Sequence, residues 1–349
     1  MFVALRDLRA ARGRFLLITL VVIMVALLVS FLSGLTAGLA HQNVSAIEKM
    51  TGDAVVFADT GNDPSYDSST LSPEQVRAWQ HAGGAVDPVG ISYGQATLGG
   101  SPPSRVALFG TQGDTFGNQT ATPPGTVVLS KPAAQELSAA PGDRVAIGSG
   151  TFTVAAVGTD DWYSHTPVVW MSLPDWQALD PRGGAATVLV VSDVPDEAAV
   201  NAAAHTRTTG VRDSLSALSS YQAENGSLTL MTVMLFAISA LVIGAFFTVW
   251  TIQRTPDVAT LKALGATTGS LARDALGQAL TVLAIGVGIG VGGTAVAGAL
   301  LGDALPFVLS VGTTLVPAAA LVGLGLLGAA FALRFLVTTD PLAALNQSR

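Results

Sequence analysis

FLLITLVVIMVALLVSFLSGLTAGLA, residues 15–40, holds no charged side chain over 26 positions. A helix rises about 1.5 Å per residue, so about 20 apolar residues cross a hydrocarbon layer ~30 Å thick. The segment reads as a membrane span. Arg6, Arg9, Arg12 and Arg14 precede it, as basic residues precede a secretory leader. The apolar run nevertheless exceeds the roughly 7–15 residues of a leader's core and ends without a clean A-x-A exit. Retention of the span is expected.

Outward from this segment, three more apolar runs follow: 228–253, which is uncharged and ends at Arg254; about 276–301, which is dense in glycine; and about 315–337, with Arg334 near its end. Composition agrees. Of 349 residues 50% are hydrophobic and 12% charged, and the mean hydropathy is +0.53. A net charge of −7 and a pI near 5.0 leave no basic stripe for nucleic acid. The absence of cysteine excludes disulfides, iron–sulfur clusters and thiolate zinc.

Four spans place both termini on one side, and lysine and arginine in short flanks decide which. Outside residues 41–226 there are nine Lys/Arg and five Asp/Glu; within them there are eight and nineteen. All nine cations lie before the first span, between the second and third, or at the C-terminal end. The termini are expected in the cytoplasm of a plasma membrane, with the acidic 41–226 segment outside. The expected order is an interfacial helix at 1–14, a span at 15–40, the outside domain at 41–226 and a span at 227–253. A coupling loop at 254–273, a span at 274–301, an outside loop at 302–314, a span at 315–337 and a tail at 338–349 complete it.

Within 41–226, short runs at 54–58, 89–93, 105–109, 126–129, 144–147, 151–157, 167–171 and 187–191 have strand character, several alternating apolar and polar residues. Gly148-Ser149-Gly150 reads as a hairpin loop. Ser72-Pro73-Glu74-Gln75 offers an N-cap, a first-turn proline and a Gln three residues on, and Ser172-Leu173-Pro174-Asp175 repeats the logic; Ser130 is a third cap. Residues 59–69 read as a mobile loop by their Gly, Pro and Asp content. The fold class expected is an integral membrane α-helical protein with four transmembrane helices and an α+β extracytoplasmic domain inserted between the first and second.

Enzymatic chemistry finds little support. No Gly-Lys-Ser/Thr phosphate loop and no HExxH frame is present, and His41, His81, His165 and His205 lack i,i+4 pairing. Residues 160–165, DDWYSH, gather carboxylates, aromatics and imidazole directly before a strand, which reads as a loop with capping and packing roles. Gly34, Gly38, Gly286, Gly288, Gly290 and Gly292 are spaced for close helix approach, because lipid supplies no hydrophobic drive between helices.

Two clusters carry functional readings. In TPDVATLKALGAT, residues 255–267, Val258, Leu261, Ala263 and Leu264 recur at near-helical spacing before Gly265, a natural helix stop. At the outer boundary, Met231 and Met234 share a helical face that Glu48, Tyr221 and Glu224 could approach. Thioether, phenol and carboxylate beneath an apolar rim suit a flat amphiphile containing a metal, such as haem. Methionine as core filler and glutamate as a solvated flank is the other reading of the same residues.

One span, a large outside domain, three more spans and the Leu261-Lys262-Ala263-Leu264-Gly265-Ala266 run together resemble the FtsX/MacB-like permeases of ABC transporters. Residues 33–48 and 221–253 look like those of the haem-exporting HrtB-type permeases, with DevC-type exporters close behind. The resemblance implies a permease without enzymatic activity of its own, forming a homodimer in the membrane lipid on two copies of a separate ABC ATPase subunit that binds ATP and Mg. It implies coupling through Pro256, Val258, Leu261, Lys262, Leu264 and Gly265. It implies haem as the substrate, with no intrinsic cofactor, held by Glu48, Tyr221, Glu224, Met231 and Met234; Glu48 leads because it follows the family's N-x-S pattern. The compact outside domain fits a Gram-positive envelope. Two other readings share the architecture: a signalling permease of the cell-division type acting on an outside partner, and an exporter of lipids or peptides.

Overall fold

The computed structural model describes residues 12–113, 115–117, 122–180, 182–301 and 305–338. Most of the interfacial helix expected at 1–14, residues 302–304 of the loop expected at 302–314, and the tail from 339 lie outside the described residues. The chain divides into a helical unit, Met1–Gly38 with Ser227–Arg349, and a globular unit, Leu39–Gly226.

In the helical unit four helices are long and apolar enough to cross a membrane: α1 (Arg12–Val44), α6 (Ser219–Gln253), α8 (Thr268–Leu301) and α9 (Val311–Thr338). Their shared core includes Val22, Ala26, Ile243, Phe247, Leu283, Val287 and Leu321. Small residues set how near the helices come, as the sequence leads one to expect, but only at alternate glycines. A Cβ on Gly286 would lie 2.6 Å from the Val22 side chain, and one on Gly290 would lie 2.6 Å from Ala26 Cβ and 2.8 Å from the Ile23 carbonyl. At Gly288 and Gly292 a Cβ would meet nothing within 4 Å. The helical period explains the split, since residues two apart point to opposite sides.

Gly34 and Gly38 of α1 receive a loop rather than a helix. The Phe307 ring sits where a Cβ on Gly34 or Gly298 would be, 2.5 Å away in each case, and the Pro306 carbonyl occupies the place of one on Gly38. Val308 N–H donates to the Gly34 carbonyl at 3.1 Å, and Phe307 lies against Phe31 with ring centroids 5.3 Å apart. The predicted close approach is present, with a different partner.

The globular unit is built on ten strands among the described residues: β1 (Ala54–Ala58), β2 (Ala85–Leu98), β3 (Ser104–Thr111), β4 (Thr126–Leu129), β5 (Arg144–Ile147), β6 (Gly150–Val157), β7 (Trp162–Tyr163), β8 (Thr166–Ser172), β9 (Val188–Ser192) and β10 (Thr206–Gly210). Their order is β10-β1-β9-β2-β3-β8-β4-β6-β5, and β5 also pairs with the end of β2. Six strands therefore close on themselves, while β10, β1 and β9 extend a sheet from the first half of β2. The pairings β3–β8 and β4–β6 are parallel and the others antiparallel, so helices and strands share one domain built on a mixed, mainly antiparallel sheet. Short runs do not reveal strand direction. That emerges only from connections made across the sheet.

Alternation sorts side chains between faces. Val106, Leu108, Val169 and Met171 enter one core, while Ala107, Phe109, Val168 and Trp170 from the same strands enter another. A third forms where α2 (Pro73–His81) and α5 (Glu197–Ala204) cover the small sheet, around Val56, Leu71, Trp79 and Leu189. The expected caps are in place. Ser72 and Gln75 form a reciprocal capping box at α2, Ser130 accepts from Ala133 N–H at α3 (Lys131–Leu137), and Ser172 accepts from Asp175 N–H at α4 (Leu173–Leu179). Gly148 and Ser149 form the two-residue turn between β5 and β6, with Gly148 at φ +55°.

Residues 59–69 depart from the mobile reading. Tyr66 is buried and its hydroxyl lies 2.9 Å from the Ser214 hydroxyl; the Ser69 hydroxyl accepts from Ala58 N–H and donates to the Thr187 carbonyl. Composition records the loop's glycine and proline but not the one tyrosine that anchors it.

Candidate functional site

Two constellations stand out, one in each unit. In the helical unit, α6 ends at Gln253 and a nine-residue helix, α7 (Thr255–Ala263), follows at once. Pro256 occupies its first turn, where a missing N–H costs nothing. The far end is closed by a glycine. Gly265 has φ +95°, its N–H donates to the Lys262 carbonyl at 3.0 Å, and Ala266 N–H donates to the Leu261 carbonyl at 3.0 Å. These two bonds are the Schellman pair that satisfies the last carbonyls of a helix, and they require a residue at ease in the left-handed region. Leu261 is 43% and Leu264 80% exposed, with Val258 and Lys262 half-buried. A short, rigidly terminated helix thus presents uncovered leucines. Such a surface can receive an apolar pocket of another protein.

In the globular unit, the end of α1, the β7–β8 hairpin and the start of α6 meet in a polar cluster. Ser164 and His165 form the two-residue turn of that hairpin with φ of +48° and +58°. This is the turn twist that favours strand pairing, made here without glycine. Main-chain bonds hold it to α1, Ser164 N–H to the Asn43 carbonyl at 2.8 Å and His165 N–H to the Gln42 carbonyl at 2.9 Å. The His165 Nε2 lies 2.7 Å from Glu224 Oε1. Asn43 Nδ2 donates to Glu224 Oε2 at 3.1 Å, and the Ser220 hydroxyl donates to Asn43 Oδ1 at 2.6 Å. Beside it, His41 Nε2 stands 3.4 Å from Asp160 Oδ2. Buried Asp161 accepts from Lys49 and from Trp170 Nε1. Residues 160–165 thus pack and clamp, as their sequence suggests.

Of the residues read from the sequence as ligands, Glu224 belongs to this cluster. Tyr221 packs half-buried on the edge of the core that holds Tyr66, Phe109 and Trp170. Glu48 is exposed on the turn Ile47–Lys49. Met231 and Met234 belong to the helical unit, where they are 50% and 52% exposed. Among the described residues no group of three or more His, Cys, Asp or Glu could hold a metal ion. Asn43, Ser220 and His165 escaped the sequence reading as one cluster because they are separated by up to 177 positions; only the helical register of Asn43 could have marked it.

Burial raises the phenol pKa values of Tyr66 and Tyr163 above the ordinary range, and that of Tyr93 by less, offset by a hydrogen bond with Ser164. These tyrosines form one aromatic stack with Phe57 and Phe109, centroids 4.9 to 6.3 Å apart. They make a rigid base under the hairpin.

Comparison with known proteins gives two family matches. A model described as the MacB-like periplasmic core domain matches residues 15–215, and one described as the FtsX-like permease C-terminal matches residues 229–341. The chain is similar to a putative hemin transport system permease protein HrtB of Staphylococcus epidermidis, 26% identical over 99% of both chains, and to its namesake of Staphylococcus haemolyticus, 24% identical over 99% of both. Among solved structures it is similar to the periplasmic region of MacB from Actinobacillus actinomycetemcomitans, with TM-score 0.36, 15% identity, and coverage of 48% of this chain and 92% of that one. The extracellular domain of the noncanonic ABC-type transporter YknZ from Gram-positive bacteria gives TM-score 0.32 and 12% identity, covering 46% and 100%.

Proposed function

The chain belongs to the family of ABC transporter permeases that join a MacB-like periplasmic core domain to an FtsX-like C-terminal region, and on that premise we propose that it exports haem or a similar amphiphile. The observation that carries the substrate is similarity along 99% of both chains to permeases named for hemin transport. In this reading the chain is a homodimer on two copies of a separate ATPase subunit that binds ATP and Mg. The exposed leucines of α7 enter an apolar groove of that subunit, and closure of the ATPases drives the helices. Pro256, Val258, Leu261, Lys262, Leu264 and Gly265 form the coupling element; Glu48, Tyr221, Glu224, Met231 and Met234 are the ligand candidates. The termini face the cytoplasm of a Gram-positive plasma membrane.

A signalling permease that pulls on an outside protein would expose a large apolar patch on the globular unit. Among that unit's described residues the most exposed large apolar side chains are Tyr93 and Val157, at 37% and 38%. Export is therefore the reading favoured.

Titration of the purified chain with haemin tests it. A Soret shift saturating near stoichiometric haemin is expected, weakened in Glu48→Ala or Met231→Ala. No spectral change at micromolar haemin would remove haem as substrate and leave the permease assignment standing.

A further inference from the structure

Arg254 stands where α6 passes into α7. It is the N-cap residue of α7, and Val258 N–H donates to its carbonyl at 3.0 Å. Its guanidinium also reaches α8 and the Trp250 ring. Nη1 donates to Oε1 of Gln278 on α8, and the guanidinium carbon lies 5.1 Å from the centre of the Trp250 ring. Trp250 in turn meets Phe15 of α1 edge-on, with centroids 6.0 Å apart, and Phe247 of its own helix at the same separation. Gln278 is 1% exposed, and its Nε2 donates to Asp274 Oδ2 at 3.1 Å, one turn earlier on α8.

The chemistry of this chain of contacts is directional. A guanidinium only donates and a carboxylate only accepts, so a group between them must accept on one side and donate on the other. A buried primary amide does both while remaining neutral. Leucine, of similar bulk, does neither, and would remove this tie between Arg254 and α8. Glutamate keeps the acceptor for Arg254, now charge-assisted, but opposes its carboxylate to that of Asp274; with Asp274→Asn beside it, the amide at 274 donates to the glutamate and the net charge is unchanged.

We propose that Gln278 is a positioning residue for energy coupling: through Arg254 it fixes the root of α7 to α8, so that a push on α7 moves α8 and, through Trp250 and Phe15, α1 as one body. This rests on the reading of α7 as the contact for the ATPase. Without the link, α7 would swing about Arg254 while the membrane helices stay behind.

Because this chain has no native cysteine, a single introduced thiol is its sole labelling site when the label is attached before the ATPase is added. Leu300, near the end of α8, is 82% exposed and suits a spin label. In the dimer of Leu300→Cys chains bound to their ATPase in nanodiscs, the label-to-label distance is measured with and without a non-hydrolysable ATP analogue. An ATP-dependent shift is expected in the parent, loss of most of it in Gln278→Leu with nucleotide binding retained, and its return in the double variant Gln278→Glu with Asp274→Asn. An equal shift in Gln278→Leu and parent would overturn the proposal, as would failure of the Gln278→Glu, Asp274→Asn pair to restore what leucine removes. If the parent binds no ATPase or shows no shift, the reading of α7 fails and takes this inference with it. Should Gln278→Leu not yield a monodisperse complex, Gln278→Asn, one methylene too short to span the gap, carries the same comparison.

Discussion

His165 shows how one residue answers to two demands. Its backbone sits in the left-handed region, which His, Asn and Asp tolerate and β-branched residues do not, while its ring reaches Glu224. Substitution separates the two. His165→Asn should cost only the side-chain contact, about 1 kcal/mol; His165→Val should cost a further 1–2 kcal/mol or so of backbone strain. Thermal unfolding followed by tryptophan fluorescence reads the difference, since Trp79, Trp162, Trp170 and Trp176 lie in the globular unit; equal losses would show that the turn is unstrained. Tyr66 and Tyr163 carry a second residue-scale expectation. Their raised phenol pKa values mean the folded state holds protons that the unfolded chain releases. The stability they contribute is therefore complete below about pH 10 and is lost as pH rises beyond it. Spectrophotometric titration should find both ionising only together with unfolding. Free ionisation of all four tyrosines near pH 10 in the folded protein would contradict their burial.

Helix α8 makes a clean comparison at the scale of an element. Its glycines at 286 and 290 press on α1, while those at 288 and 292 face open space. Gly290→Ala should destabilise the helical unit, because its Cβ would overlap Ala26 and the Ile23 carbonyl and rigid neighbours yield only with repacking, at about 1–3 kcal/mol. Gly292→Ala should be neutral or stabilising by up to about 1 kcal/mol, from helix propensity alone. Melting of the two variants in the same detergent checks this, and equal behaviour would refute the packing assigned to α8. Helix starts were legible at this scale because a capping box is local: Ser72, Pro73 and Gln75 state it within four residues. Strand β10 was not, since Thr206–Gly210 reads TRTTG and carries no apolar alternation; pairing with β1 makes it a strand.

At the scale of the whole molecule, the charge asymmetry across 41–226 predicts which side of the membrane each region occupies. With no native cysteine, Ser149→Cys in the β5–β6 turn should react with a membrane-impermeant maleimide on intact cells, and Thr267→Cys, beyond α7, should react only after permeabilisation. The reverse pattern would invert the topology and with it the proposed mechanism.

The order of four apolar helices around one polar insert, the helix caps and the stop at Gly265 were all determined by the sequence itself, because hydropathy, capping and left-handed glycine act over a few neighbouring residues. Tertiary structure alone decided the rest: the closure of β2 onto β5, the parallel pairings, Phe307 filling the notches at Gly34 and Gly298, and the meeting of Asn43, His165 and Glu224. Most of those contacts join segments tens to hundreds of residues apart, and the free energy that selects them is that of packing and of satisfying buried polar groups, which has no local signature. Arg254 and Gln278 fall between the two cases. The sequence displays a cation at the end of a span and an amide within another, and only the fold places one against the other.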